Sequence, residues 1–376
     1  MNIITIYKQD LSSELENKIA SFLSEYFHSE INEIWKLRFN LIWHSNPYLT
    51  DDVPAGWILK NDDDEICGFL GNVPVEFQYE NIVLNASGAD SLYVSKKYAG
   101  IEGARLCISF IKQKTDILID STPNETAEKI FEKLKFNKIR VEYITSYIIV
   151  IAPFSLLKYL YNKYHSNNVH ESNLFHSKKL KYFENNGQPV SQSRFDIQNL
   201  DFFTSHGYSL KRISSVSEFM NCINSHTVDK RILLSRKIES LNWILFSQEV
   251  QSLLHRSVIS IWDQAENYIG YCVFDIKEES RSQRYLLVRQ IDLIVSDVNI
   301  LKALKKYLKV VAKRNGCFMI QIRLIMPDVN LDLMLRKVIR LKKEGKNNYL
   351  VKLPNDRDFS LDEFYASALD PDLGFV

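Results

Sequence analysis

A chain of 376 residues, 45% hydrophobic and 25% charged, has material for two packed domains of about 150–200 residues each. Its 47 basic and 46 acidic side chains leave a formal charge of +1, which removes any general pull toward nucleic acid or an anionic membrane. No apolar run approaches the roughly 18 residues of a spanning helix, so no integral membrane segment is expected, and the N-terminus lacks a signal-peptide pattern. The 5 cysteines and 8 histidines form no CxxC, HxH or HxxxH pair. They read as reduced thiols of a cytoplasmic protein with no protein-built metal site.

Residues 2–8 alternate as a first strand. Leu15, Ile19, Phe22, Leu23 and Tyr26 predict an amphipathic helix over 12–27. A second helix over 30–43 carries Ile34, Trp35, Leu37, Phe39, Leu41 and Ile42 and stops at His44-Ser45-Asn46-Pro47. Strands follow at 56–60 and 66–71 around the acidic turn Asn61–Glu65, which lacks the glycine and distal glutamate of a calcium loop. A further hairpin spans 75–79 and 82–86.

The stretch from Ala89 to Leu106 organises the first half. Leu92 and Val94 alternate with Ser91, Tyr93 and Ser95 as a strand. A basic turn bearing Gly100 and Gly103 comes next, and Ala104, Leu106, Ile108, Phe110 and Ile111 open an apolar helix. Strand, glycine turn and helix start make an anion site, because the first helical N–H groups lack intrahelical acceptors and the helix dipole adds positive charge there. A short strand at 116–120, a helix over 125–134 and a β-rich run over 138–150 complete an α+β unit.

After a helix at 154–164, residues 165–206 turn polar and read as a linker. The remainder repeats the first half. Trp243 and Ile244 echo the Trp35–Trp43 helix, residues 258–273 echo 56–71, and Ile291–Ser296 echoes Ala89–Ser95. A helix over 299–314, a strand over 317–324, a helix over 331–341 and a closing strand over 348–353 follow. The expected division is 1–153, 154–206 (helix and linker), 207–354 and a tail, 355–376.

These elements resemble a tandem protein of the GCN5-related N-acetyltransferase (GNAT) superfamily. Residues 94–106 resemble its valine-ending strand, pyrophosphate loop and following helix. Residues 124–136 resemble its asparagine, alanine and tyrosine-glutamate-lysine-x-glycine-phenylalanine signature. The resemblance implies an α+β tandem GNAT fold, with two mixed sheets flanked by helices, and acetyl-CoA or another acyl-CoA as co-substrate, without metal. It also implies backbone contacts from Leu92, Tyr93 and Val94 to the thioester carbonyl. Ala99, Gly100, Glu102, Gly103, Ala104 and Arg105 would lie around the pyrophosphate. Asn124 would meet the pantetheine arm or cap its helix.

Several positions depart from the family pattern. Ala99 and Glu102 stand where the family has an arginine or glutamine and a glycine. Phe131 stands for the tyrosine that protonates the leaving thiolate, and Lys135 for the glycine before the last phenylalanine. In the second half Asp297 follows Val295-Ser296 with no glycine, so that half is expected to bind no cofactor. Asn46-Pro47, Ser121–Asn124 and the tail with Asp370 and Asp372 are similar to tandem GNAT-like proteins of bacterial surface-polysaccharide biosynthesis. That similarity implies a small-molecule acceptor, such as a nucleotide sugar or glycan precursor, and no nucleic acid.

Asp90 is the general-base candidate, since an attacking ammonium must lose a proton; the alternative is a structural aspartate. His44 and Asn46 are acceptor-binding candidates, and Trp35, Trp43 and Trp57 are either sugar platforms or core. The expected activity is transfer of an acyl group, acetyl first, to an amine or hydroxyl. The alternatives are a catalytically degenerate binding scaffold and a Fem-like aminoacyl transferase.

Overall fold

The computed structural model describes residues 1–26, 32–79, 82–139, 144–167, 200–223, 233–234, 236–280, 283–325, 329–339, 341–344 and 349–353. The tail with Asp370 and Asp372 and most of the expected linker lie outside these. The first half runs β1 (Asn2–Tyr7), α1 (Ser13–Tyr26), α2 (Asn32–Phe39), β2 (Pro54–Lys60), β3 (Ile66–Tyr79), β4 (Ile82–Val94), α3 (Ile101–Ile111), β5 (Ile117–Asp120), α4 (Glu125–Lys133), β6 (Asn137–Ile139) and β7 (Ile144–Val150). Helix α5 (Pro153–Asn167) follows. The second half runs β8 (Phe202–Ser205), β9 (Tyr208–Ile213), α6 (Val216–Ile223), β10 (Leu233–Leu234), α7 (Ile238–Leu241), α8 (Gln248–Leu254), β11 (Ser257–Trp262), β12 (Tyr268–Ser280) and β13 (Gln283–Leu293). It ends with α9 (Val298–Arg314), β14 (Cys317–Ile325), α10 (Val329–Val338), β15 (Leu341–Glu344) and β16 (Tyr349–Lys352).

The strands form two sheets with one plan. The first is ordered β1-β2-β3-β4-β5-β16-β6, with β10 added on β3; the second is β15-β7-β14-β13-β12-β11-β9-β8. Read from opposite ends the orders coincide, β8 and β10 aside, and in each order one place is filled by a strand from the other half; β10, on β3, also comes from the second half. β7, expected to close the first sheet, lies between β14 and β15. β16, expected to close the second, lies between β5 and β6. The expected boundary at 153 therefore follows the chain but not the sheets.

The layers follow from the alternation of apolar residues. One face of the first sheet packs under α3 and α4 through Leu106, Phe110, Ala127 and Phe131. One face of the second packs under α9 and α10 through Leu304, Leu308, Val311 and Leu335. The two remaining faces share a single core in which Trp43, Phe69 and Val75 join Trp243, Val258 and Val273. Two matching one-turn π-helices meet in this core. In the first, Ser45 N–H donates to Asn40 C=O over 2.8 Å; in the second, Ser247 N–H donates to Asn242 C=O over 2.7 Å. The Trp243 indole N–H donates to Leu41 C=O across the halves, at 2.8 Å.

Strands β3 and β4 are longer than expected, because the apparent break at Asn72–Pro74 is buried strand. Likewise β12 runs on to Ser280 and β13 begins at Gln283. β8 and β9 occupy 202–213, where the sequence suggested the end of a linker. Among the described residues no helix is long and apolar enough to cross a membrane.

Candidate active site

The candidate site is built on β4. This strand pairs antiparallel with β3 but pairs parallel with β5 only at Ala86, Ser87 and Gly88, opposite Ile117, Leu118 and Ile119. Beyond Gly88, among the described residues, the pairing with β5 ends, so on that side Ala89–Val94 have no strand partner, which leaves an opening in the sheet. Along this edge the register with β3 slips: Gly71 faces Asp90 and Phe69 faces Tyr93, three steps on β4 for two on β3. Ser91 takes φ of 54° in that slip. Such a bulge turns backbone N–H groups out of the ladder and re-aims the strand.

Past Val94 a short turn, Lys96–Tyr98, leads to Gly100 at φ 93°, and α3 begins. A Cβ on Gly100 would meet nothing within 4 Å, so the backbone angle, not space, calls for glycine. Gly100 caps α3 without a side chain, and the first turn closes with Ala104 N–H donating to Gly100 C=O at 3.1 Å. The N–H groups of Ile101, Glu102 and Gly103 therefore have no acceptor within the helix. Helix α3 starts at Ile101, three residues before the sequence suggested, which brings Glu102 into its first turn. There the Arg105 guanidinium holds the Glu102 carboxylate through two hydrogen bonds, 3.0 and 2.8 Å. The acid that would oppose a bound anion is thus matched within the chain.

Asn124 caps α4: its side-chain oxygen accepts from Thr126 N–H and Ala127 N–H at 3.0 and 2.9 Å. Phe131 does not face the opening. It is fully buried, 4.7 Å from the Phe136 ring and 6.1 Å from Phe110. A hydroxyl there would be buried among phenylalanines. Phe131→Tyr is therefore expected to destabilise the fold by about 1–3 kcal/mol without raising any transfer rate. A thermal melt and a turnover assay on the same sample check both parts.

Asp90 lies on the bulged edge and is 1% exposed. One of its oxygens accepts from the Arg38 guanidinium, brought in by α2, and the other from the Ser91 hydroxyl at 3.0 Å. Arg38 was not legible in the sequence as a site residue. Its one trace there is a charge placed among Trp35, Leu41 and Ile42, on the buried side of α2 and the π-turn that follows it.

The acceptor candidates lie elsewhere. Nε2 of His44 is 2.8 Å from Glu16 of α1, and the imidazole is exposed. Asn46 is buried; its amide N–H group donates to Ile42 and Pro74 carbonyls, and its oxygen accepts from Tyr48 N–H. Among the described residues neither hydrogen-bonds to the β4 edge or the glycine turn. Asn46 thus secures the π-turn rather than lining the opening. Trp35, Trp43 and Trp57 are core. Cys67 and Cys107 are buried; burial, and for Cys107 also Asp120, pushes the thiols up, Cys107 to about 12. Neither is a ready nucleophile. Among the described residues no three His, Cys, Asp or Glu side chains are grouped to hold a metal.

In the second half the corresponding helix start is capped by a carboxylate. Asp297 caps α9, accepting from Asn299 N–H at 2.8 Å and from the Tyr208 hydroxyl at 2.6 Å. These bonds, Tyr208 first, hold its carboxyl below the ordinary range, so an anion already occupies that helix start.

No family model matches the sequence, and no curated protein matches it. Solved structures do match. A GCN5-related N-acetyltransferase from Anabaena variabilis superposes with a TM-score of 0.52 at 10% identity, over 94% of this chain and 74% of that one. The chain has the GNAT fold. A conserved protein of unknown function from Enterococcus faecalis, described as a probable N-acyltransferase, gives 0.53 at 10% identity over 94% and 72%. N-myristoyltransferase of Saccharomyces cerevisiae, solved with bound myristoyl-CoA and inhibitors, gives 0.54 at 10% identity over 94% and 80%. The GNAT frame thus extends over both halves of this chain.

Proposed function

We propose that the chain is an N-acyltransferase that takes an acyl group, acetyl first, from acyl-coenzyme A and passes it to an amine of a small-molecule acceptor. The observation that supports it is the junction in the first half: β4 parted from β5, bulged at Ser91, and leading through Gly100 into an uncapped helix start. The pyrophosphate would lie on the N–H groups of Ile101, Glu102, Gly103 and Ala104, with Arg105, Lys96 and Lys97 as the nearby cations. The thioester carbonyl would meet those N–H groups of Leu92, Tyr93 and Val94 that turn away from β3. These would stabilise the oxyanion as the amine adds and the thiolate leaves. With Phe131 in the core, the leaving thiolate takes its proton from water or from the acceptor's own ammonium. Positioning and backbone electrostatics then supply most of the rate.

Calorimetric titration of the full chain tests this reading. Coenzyme A and acetyl-CoA are expected to bind, and Gly100→Asp, which forces φ and adds a negative charge at the helix start, to weaken both at least about tenfold. Asn299→Gly in α9 is expected to leave binding unchanged. Binding that survives Gly100→Asp would remove the first-half turn as the cofactor site. A second reading is favoured by the Glu102–Arg105 pair and the buried Phe131: a GNAT-fold binding protein without turnover. Coenzyme A binding with no transfer to any amine would select it.

A further inference from the structure

We infer that Arg38 and Asp90 are a positioning pair: they hold the parted half of β4 in its bulged form, and the Asp90 carboxylate takes no proton from the acceptor. The inference rests on the acyl-CoA reading above. Three observations carry it. The Asp90 side chain is sealed from solvent, and each oxygen already receives a donor, a guanidinium on one and the Ser91 hydroxyl on the other. Ser91, held by that second bond, is the residue whose positive φ makes the bulge. Gly71 closes the other side: a Cβ there would stand 3.1 Å from the Asp90 carbonyl oxygen and 3.2 Å from a carboxylate oxygen.

A looser counterpart occurs in the half whose helix start Asp297 caps, an ion pair with both side chains about a third exposed and no register slip beside it. Arg236, just before α7, lies 3.6 Å from Asp292 on β13. Gly270 of β12 stands against Asp292 so closely that a Cβ would fall 2.1 Å from its carbonyl oxygen. Asp292 too lies beyond the point, Val288, where its strand leaves its parallel neighbour β14. Chemistry at a thioester cannot explain a pair placed beside a helix start that Asp297 has capped. What the halves share is a strand that has lost its parallel neighbour and carries, just beyond that point, an aspartate facing an arginine. Only in the first half does the held segment face an open anion site.

The test compares two ligands that differ at the thioester. Coenzyme A lacks the carbonyl that the bulge N–H groups would meet, and acetyl-CoA has it. In the full chain, Asp90→Asn and Arg38→Gln are expected to weaken acetyl-CoA at least about threefold while coenzyme A binds as in the parent. They should lower kcat by tenfold or more, and the kcat–pH profile should keep its shape at a lower height. Arg38→Lys, which retains the charge, is expected to recover part of the acetyl-CoA affinity and carries the comparison if Asp90→Asn does not fold. Loss of the acidic limb of the kcat–pH profile in Asp90→Asn, with acetyl-CoA affinity unchanged, would make Asp90 the base and overturn the inference. Absence of coenzyme A binding in the parent chain would instead overturn the acyl-CoA reading on which it rests.

Discussion

A cut introduced at Asn185-Asn186-Gly187 is expected to leave one particle, and either half expressed alone is expected to aggregate. Each sheet is completed by a strand from the other half. In β16, Tyr349, Leu350 and Val351 are fully buried between β5 and β6. Burying three such side chains is worth about 5–9 kcal/mol, comparable with the whole stability of a typical domain, about 5–15 kcal/mol. The reciprocal strand β7 places Tyr147 between β14 and β15, its hydroxyl donating to Asp332 of α10. The shared core adds the Trp243–Leu41 bond and, at 2.8 Å, the pair of Lys237 with Glu76. A half without its borrowed strand opens a sheet in its interior and exposes apolar edges that invite pairing with other chains. Sizing after cleavage decides the matter: two separate folded fragments would show that the exchanged strands are dispensable.

The exchange marks the limit of what the sequence discloses. The pattern of strands and helices was legible in both halves, because alternation and helical spacing are local. The equivalence of Ala89–Ser95 with Ile291–Ser296 was legible too, and it placed the edge on which the site is built. What periodicity cannot tell is which sheet an apolar closing strand joins, since β7 and β16 read alike and each fits either gap. The glycine turn was legible because Gly100 must adopt a positive φ. The side chains that act across space were not. Asp90 read as a base until its Arg38 partner, 52 residues away in sequence, was seen. Asn46 read as an acceptor ligand until its two bonds within its own turn and its third to Pro74 of β3 were. Phe131 matched the signature position of a catalytic tyrosine, yet its side chain completes an aromatic cluster. Lys135, in the family's glycine place, does take the left-handed conformation that glycine would favour, φ 65°. There the signature reported backbone geometry and not chemistry.

The largest effect of a single side chain is expected at Asp275. Its carboxylate lies at the centre of the second half, fully buried, and receives Arg256 Nε at 2.8 Å and Nη2 at 3.0 Å, and Arg289 Nε at 2.8 Å. Arg256 also donates to the Ile244 carbonyl in the π-turn at 2.8 Å, and Arg289 is the extra residue where β13 slips against β12. One carboxylate thus ties the loop before β11, β12, β13 and the π-turn together. Asp275→Ala leaves two buried guanidiniums without their shared counter-ion, and a loss of about 3–5 kcal/mol is expected, read as a lower urea midpoint. Burial by itself would raise the Asp275 carboxyl; Arg256 and Arg289 outweigh it and hold it well below the usual range. The sign of the pH dependence follows. A carboxyl whose folded value is depressed contributes in full above its unfolded value of about 4, and the contribution drains away as pH falls below that. Stability is therefore expected to show no dependence on Asp275 between pH 7 and about pH 5 and a steep loss beneath about pH 4. In Asp275→Asn that acid-side slope should shrink while the neutral-pH stability is already lowered. An Asp275→Asn chain as stable as the parent at pH 7 would show that the two arginines are satisfied without the carboxylate.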